Sequence, residues 1–138
     1  MSKTELSFLP QNSSLEEFKE QISLALEKLI GQKEWHNELL LALEEALTNV
    51  LEHGFKKNQN PPPIVLSLKL EKNKLVIKIK DKGIPYDITK QTPINQQEEY
   101  KNYKKRGLGI FLIQNIASRL NYLMSPQEGN ILTIEKDL

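Results

Sequence analysis

Three short stretches carry side chains whose types and spacing could do chemistry. Glu45 and Asn49 stand four residues apart in a helical pattern, so they share one face, beside Ala46 rather than in the main leucine stripe. A carboxylate and a carboxamide together offer a base and a neutral oxygen ligand, which suits a hydrated Mg²⁺ beside phosphates. An ordinary solvated helix face is the competing reading. Asp81 follows Leu75, Ile77 and Ile79 at a period of two, so it points to the same side of its strand as those core residues. A carboxylate there is penalised by desolvation unless it has partners. Gly83 and Pro85 turn the chain away at once, leaving room for a cavity in which Asp81 would recognise an exocyclic amine such as adenine N6. The plainer alternative for Asp81 is a turn former at a strand end. Gly107-Leu108-Gly109 precedes an apolar helical stretch, where exposed backbone amides and the positive helix end make an anion site. The basic run Lys101, Lys104, Lys105 and Arg106 just before it favours a polyphosphate; a solvated basic loop is the alternative.

These residues need elements to hold them. Leu6, Phe8 and Leu9 before Pro10 predict a short first strand over residues 4–9. Ser14 with Glu17 is a capping-box pattern, and Leu15, Phe18, Ile22, Leu26 and Leu29 continue it as an amphipathic helix that Gly31 ends. A second helix is expected from about Lys33 to His53, with Leu39, Leu43, Leu47, Val50 and Leu51 as its core stripe and Gly54 as terminator. Asn58 to Pro63 reads as a loop. Alternation over Ile64–Leu70 and Leu75–Ile79 predicts two strands joined as a hairpin through Glu71-Lys72-Asn73-Lys74. Residues 82–106 form a long irregular stretch, in which 88–106 hold five Lys or Arg against two Glu. A loop this long in a small domain is more often functional than accidental. Gly107 to Leu120 reads as a third helix, and 121–124 and 130–136 as two last strands. The order predicts an α+β fold: a two-layer sandwich of a mainly antiparallel, mixed sheet with helices on one face.

Composition narrows the function classes. The 138 residues suit a single domain. Nineteen Lys and Arg against 18 Asp and Glu argue against a dedicated nucleic-acid or polybasic membrane binder. The absence of cysteine excludes a disulfide scaffold, thiolate zinc and cysteine nucleophiles. No apolar run is long enough for a bilayer and no signal peptide is visible, so a cytoplasmic location is expected. His36 and His53 have no acidic or histidine partner at metal spacing and read as structural.

In combination the stretches are more specific than any one of them. Glu44-Glu45-Ala46-Leu47-Thr48-Asn49 with His53-Gly54-Phe55, then Asp81-Lys82-Gly83-Ile84-Pro85-Tyr86-Asp87, then Arg106-Gly107-Leu108-Gly109-Ile110-Phe111-Leu112-Ile113, resemble the N, G1 and G2 boxes of the GHKL ATPase superfamily. The wording is most similar to the anti-sigma factor serine/threonine kinases, over about residues 5–136. The resemblance implies a histidine-kinase-like ATPase fold with ATP and Mg²⁺ as cofactors. It implies Asn49 on Mg²⁺, Glu45 as general base, Asp81 on adenine N6, and Gly83 making room for the base. Residues 88–106 would be the ATP lid, with Lys105, Arg106, Gly107, Leu108 and Gly109 at the phosphates. The implied partners are an anti-anti-sigma protein phosphorylated on serine or threonine and a sigma factor, with a second copy of the chain as a further candidate. Two departures stand out: Pro85 replaces the second glycine of the G1 box, and Asn130 takes the place of a threonine near the adenine. Asn130 shares parity with Leu132 and Ile134, so it is expected to face inward and hydrogen-bond. Retention of both Glu45 and Asn49 favours a kinase over a non-catalytic ATP-binding module; a kinase acting on a non-sigma partner is a further alternative.

Overall fold

The computed structural model describes residues 2–10, 14–55, 60–90 and 105–138. Strand β1 (Ser2–Phe8) leads to helix α1 (Leu15–Ile30), helix α2 (His36–His53) and the hairpin of β2 (Ile64–Glu71) and β3 (Lys74–Asp81). A single 3-10 turn (Ile88–Lys90), helix α3 (Lys105–Ile116), β4 (Arg119–Ser125) and β5 (Gly129–Asp137) follow. The five strands form one sheet in the order β1-β2-β3-β5-β4, and all four pairings are antiparallel. The expected α+β architecture is present, with a sheet that is antiparallel throughout its described strands rather than mixed. Among the described residues no helix is long and apolar enough to cross a membrane.

Local chemistry accounts for the boundaries. Ser14 accepts the Glu17 N–H at 3.0 Å and starts α1; Gly31, at φ +74°, ends it where a side chain would be strained. Phe18, Ile22 and Leu26 of α1 are buried at a spacing of four. Lys72 and Asn73 both adopt positive φ, the geometry of a two-residue type I′ turn, so Glu71 pairs with Lys74 as the hairpin pattern requires.

The pleat then sorts the strands. Leu66 and Leu68 pair with Ile79 and Ile77, which pair in turn with Leu132 and Ile134. All six lie on the face that packs with Leu39, Leu43 and Leu47 of α2 and Ile110, Ile113 and Ile116 of α3 in one core. Truncating a fully buried member such as Ile77 to alanine costs about 2–5 kcal/mol.

Several boundaries differ from the sequence expectation. Helix α2 starts three residues later than Lys33, after Trp35, whose ring lies under the Lys136 ammonium at 5.5 Å. Its buried face is wider than the leucine stripe: Ala42, Ala46 and Asn49 are buried, whereas Val50 and Leu51 are only partly so. Helix α3 starts at Lys105 and stops at Ile116, not at Leu120. Ile113, Ile116 and Leu120 continue a helical spacing, but sheet pairing wins. Ser118 N–H donates to the Glu135 carbonyl at 2.7 Å, Arg119 bonds Glu135 and Asp137, and Leu120 reaches the core opposite Ile134. Ile88 is buried in the core and Lys105–Arg106 belong to α3, so neither end of the stretch 88–106 is irregular. Its middle, 91–104, lies outside the described residues, as do 11–13 and the first part of the 58–63 loop.

Candidate functional site

The inner face of the sheet turns polar where β3 ends and β5 begins. Asp81 and Asn130 are register partners, 6% and 4% exposed, on the same face as the apolar ladder beneath them. Burial at this depth requires partners. The Asn130 amide donates to Asp81 Oδ1 and to the Gly83 carbonyl, both at 2.9 Å, and the Gly83 N–H donates to the same Oδ1 at 2.9 Å. Asp81 is therefore both a strand-end turn former and an inward carboxylate. Its hydrogen bonds use one oxygen, leaving Oδ2 with its acceptor capacity unspent. Asn130 faces inward as its parity predicts, and it clips the carboxylate to the turn.

Asp81 lines a cavity of about 20 Å³ together with Ala46, Asn49 and Val50 of α2, Ile79, Leu132, Tyr86, Ile88 and Tyr122. Asn49 is 2% exposed, so the solvated-face reading fails for it. Its Nδ2 is buried without a hydrogen-bond partner among the described residues, an arrangement that costs free energy unless a ligand completes it. Glu45 is half-buried one turn earlier, with Oε2 shielded from solvent, but it is not among the lining residues. The structure thus brings Asn49 and Asp81 together and leaves Glu45 beside them.

A cavity of this size holds one water, far below the roughly 300–1,000 Å³ of pockets for drug-sized ligands. Its wall on one side is the segment after Gly83. Tyr86 stacks on His53 with ring centroids 4.2 Å apart and planes 12° from parallel, and its N–H donates to the Tyr122 hydroxyl at 3.0 Å. Burial, helped by the Asp81 and Asp87 charges and opposed by the Tyr86 N–H, holds the Tyr122 phenol above its ordinary pKa. Asp87 Oδ1 accepts from Thr89 N–H at 2.9 Å and from the Thr89 hydroxyl, ordering the turn that carries Ile88 inward.

The glycines have packing reasons of their own. A Cβ on Gly83 would lie 2.5 Å from the Gly54 carbonyl oxygen, whose backbone also receives the Ile84 N–H at 2.6 Å. The room left by the missing side chain is occupied by the α2 terminus. Gly129, at φ +86°, would place a Cβ 2.4 Å from the Asp81 carbonyl. Gly107 and Gly109 lie inside α3 rather than before it, and Lys105, Arg106 and Gly107 are its first three residues, whose N–H groups have no acceptor within the helix, with Leu108 next.

His53 is the stacking partner of Tyr86, and His36 is buried with Nε2 2.8 Å from the Ser23 hydroxyl, so both have structural roles. Sequence reasoning missed Tyr86, Ile88 and Tyr122 as lining residues. Tyr122 carried a usable signal: it stands two residues from Leu120 in an alternating strand, so it shares Leu120's inward face.

The comparisons with known proteins bear on the family and the fold. The sequence model of the histidine kinase-like ATPase domain matches residues 11–136. A serine-protein kinase RsbW of Staphylococcus aureus is 31% identical over 90 residues, covering 62% of this chain and 57% of the relative. The RsbW of strain JH9 is 34% identical over 84 residues, 58% and 53% of the two chains. The chain thus spans about half the length of these curated relatives. In fold it is similar to the histidine kinase domain of a blue-light activated histidine kinase from Erythrobacter litoralis (TM-score 0.52, 20% identity, 90% of this chain and 61% of that one). It is also similar to a chain of the SiaB–SiaC complex from Pseudomonas aeruginosa (TM-score 0.58, 12% identity, 96% and 88%). The chain belongs to the histidine kinase-like ATPase domain family.

Proposed function

We propose that this member of the histidine kinase-like ATPase domain family is an ATP-dependent protein serine/threonine kinase and anti-sigma factor, acting in the cytoplasm as a single domain over residues 1–138. It phosphorylates a serine or threonine of an anti-anti-sigma partner and sequesters a sigma factor. One observation carries the reading. A buried carboxylate, held through a single oxygen, opens on the same cavity as a buried and unsatisfied carboxamide. The similarity of the chain to proteins named serine-protein kinases supports the reaction class.

In this reading Asp81 accepts from adenine N6, Asn130 holds that carboxylate in place, and Gly83 keeps the turn against Gly54. The Tyr86–Ile88 wall must move outward for a base to enter a cavity of about 20 Å³. The first N–H groups of α3, with Lys105 and Arg106, meet the phosphates. The covering lid is residues 88–106, from the Ile88–Lys90 turn to the first residues of α3.

Asn49 also fits a metal. Turning its carboxamide by 180° exchanges Nδ2 and Oδ1, so the unpartnered position can present the hard oxygen that Mg²⁺ accepts. Among the described residues there is no group of three His, Asp or Glu, so the other ligands would be phosphate oxygens and water, the usual set for this ion. When bound, Mg²⁺ neutralises charge on the β- and γ-phosphates. Glu45 takes the proton of the attacking hydroxyl as the γ-phosphorus bond to that oxygen forms and the bond to the β-phosphate oxygen breaks, releasing ADP.

The position of Glu45 outside the cavity lining favours one rival, a module that binds ATP and a partner without transfer. Incubation with labelled ATP, Mg²⁺ and candidate anti-anti-sigma proteins separates the two. The kinase labels a serine or threonine. Glu45→Gln lowers that rate by about 10²–10⁴-fold while ATP affinity holds. Wild-type protein that binds ATP and labels no candidate is the module instead.

A further inference from the structure

Tyr122 is a polar residue of the cavity to which the reading above gives no task. It stands on β4, an edge strand, opposite Leu132, which is opposite Ile79. That row lies next below the one formed by Asp81, Asn130 and Met124, on the same inner face, so the phenol rises toward the carboxylate from two strands away. Its hydroxyl oxygen accepts the Tyr86 N–H at 3.0 Å. A phenol can accept and donate at once, and among the described residues this O–H donates to nothing. With its pKa raised, the group keeps its proton at neutral pH and remains a donor.

Asp81, with Oδ2 unspent as an acceptor, and Tyr122, with an O–H that can donate, thus line one cavity. Adenine offers the complement: N6–H donates, and the two ring nitrogens that flank N6 accept. Guanine offers a carbonyl at the same carbon and an N–H at one flanking nitrogen. We propose that Tyr122 is a specificity-determining residue of the nucleotide pocket, its O–H donating to N1 or N7 of the base whose N6–H is held by Asp81. The proposal rests on the reading of the site as an ATP pocket. The Tyr86 N–H uses only the acceptor side of the hydroxyl, which leaves its proton available to the base.

The test is calorimetry of the whole chain with ATP, 1-deaza-ATP and 7-deaza-ATP, for wild type and Tyr122→Phe. The two analogues each replace one flanking nitrogen by C–H. Wild-type protein is expected to bind one analogue about three- to tenfold more weakly than ATP, the size of one neutral hydrogen bond. Tyr122→Phe should lose the same factor for ATP and nothing further for that analogue. Loss of the anchor for Tyr86 alone would weaken all three ligands equally, and that result overturns the proposal. So does wild-type protein that binds all three alike, a measurement that needs no variant to fold. Wild-type protein that binds none of the three overturns the ATP reading itself, and the proposal with it.

Discussion

Asp81→Asn is the substitution whose consequences the structure defines most closely. Oδ1 of Asp81 receives two N–H groups, from Gly83 and Asn130, each at 2.9 Å. An asparagine must keep its carbonyl oxygen there, because its own NH₂ would meet two donors. The amide nitrogen is then forced into the place of Oδ2, where it meets adenine N6–H as donor against donor. The lost charge-assisted bond costs roughly 1.5–3 kcal/mol of ATP binding, a factor of about ten to 150. The fold suffers less. Two bonds to a carboxylate become bonds to a neutral oxygen, each weaker by about 1 kcal/mol, and the removal of a buried charge offsets part of that. Calorimetry with ATP and GTP and a thermal melt of both proteins make the check. Wild-type protein should prefer ATP, and Asp81→Asn should lose ATP affinity while still melting cooperatively. Equal wild-type affinity for ATP and GTP refutes the reasoning, as does a folded Asp81→Asn protein that binds ATP within twofold of wild type.

Two further outcomes follow from packing and charge. Gly83→Ala drives a Cβ to 2.5 Å from the Gly54 carbonyl oxygen and 2.9 Å from the Gly54 Cα, and both neighbours are backbone. It should destabilise the fold by roughly 2–3 kcal/mol in denaturant unfolding, and a change under about 0.5 kcal/mol would show that the two turns are free to separate. The Arg119 guanidinium first, and Lys74 second, hold the Glu135 carboxyl below its ordinary value of 4.5. A lowered carboxylate pKa stabilises above the unfolded value and is lost as pH falls through the folded one. Glu135→Gln should therefore cost up to about 1 kcal/mol at neutral pH, a gap that shrinks as pH falls below 4.5, and a gap that does not shrink in acid contradicts this origin.

The sequence patterns that proved most legible were those enforced by backbone geometry. Ser14, Gly31 and the Lys72-Asn73 turn act within a few residues, so their effects can be read locally. Asp81 and Asn130 were legible through parity, because a pleated strand assigns every second residue to one face. The end of α3 was not, since Leu120 satisfies both a helical and a strand spacing, and only the partner strand at Glu135 and Asp137 decides between them. The burial of Asn49 was also hidden. Its helical position lies beside the leucine stripe, and the cavity it lines is completed by Tyr86, Tyr122 and Ile88, which come from segments 37 to 73 residues away. Gly83 looked like an accommodation to a ligand, yet its close neighbour is the end of α2, a contact with no signature at either glycine.

The closed cavity and the unsatisfied groups in it belong to one arrangement. Asn49 Nδ2 is buried without a partner among the described residues and Asp81 spends one of its two oxygens, where a purely structural core would replace or pair such groups. They sit where β3 ends and β5 begins, behind a wall that stacks Tyr86 on His53, bonds Tyr122 and buries Ile88 in the core. Between them and the far end of the sheet the inner face carries the ladder of Leu66, Leu68, Ile77, Ile79, Leu132 and Ile134, which sets the polar end apart from the packed core. A ligand that supplies a donor to Asp81 and an oxygen contact at Asn49 recovers the desolvation cost as binding free energy, and the Tyr86–Ile88 wall is the part that must yield to admit it. The same reasoning predicts order in the response. Contacts of Tyr86 and Ile88 should change on ligand addition, while the β2–β3 ladder beneath keeps its hydrogen-exchange protection. A ladder that loosened together with the wall would mean that the two ends of the face are one cooperative unit, and that the cavity is not a separable site.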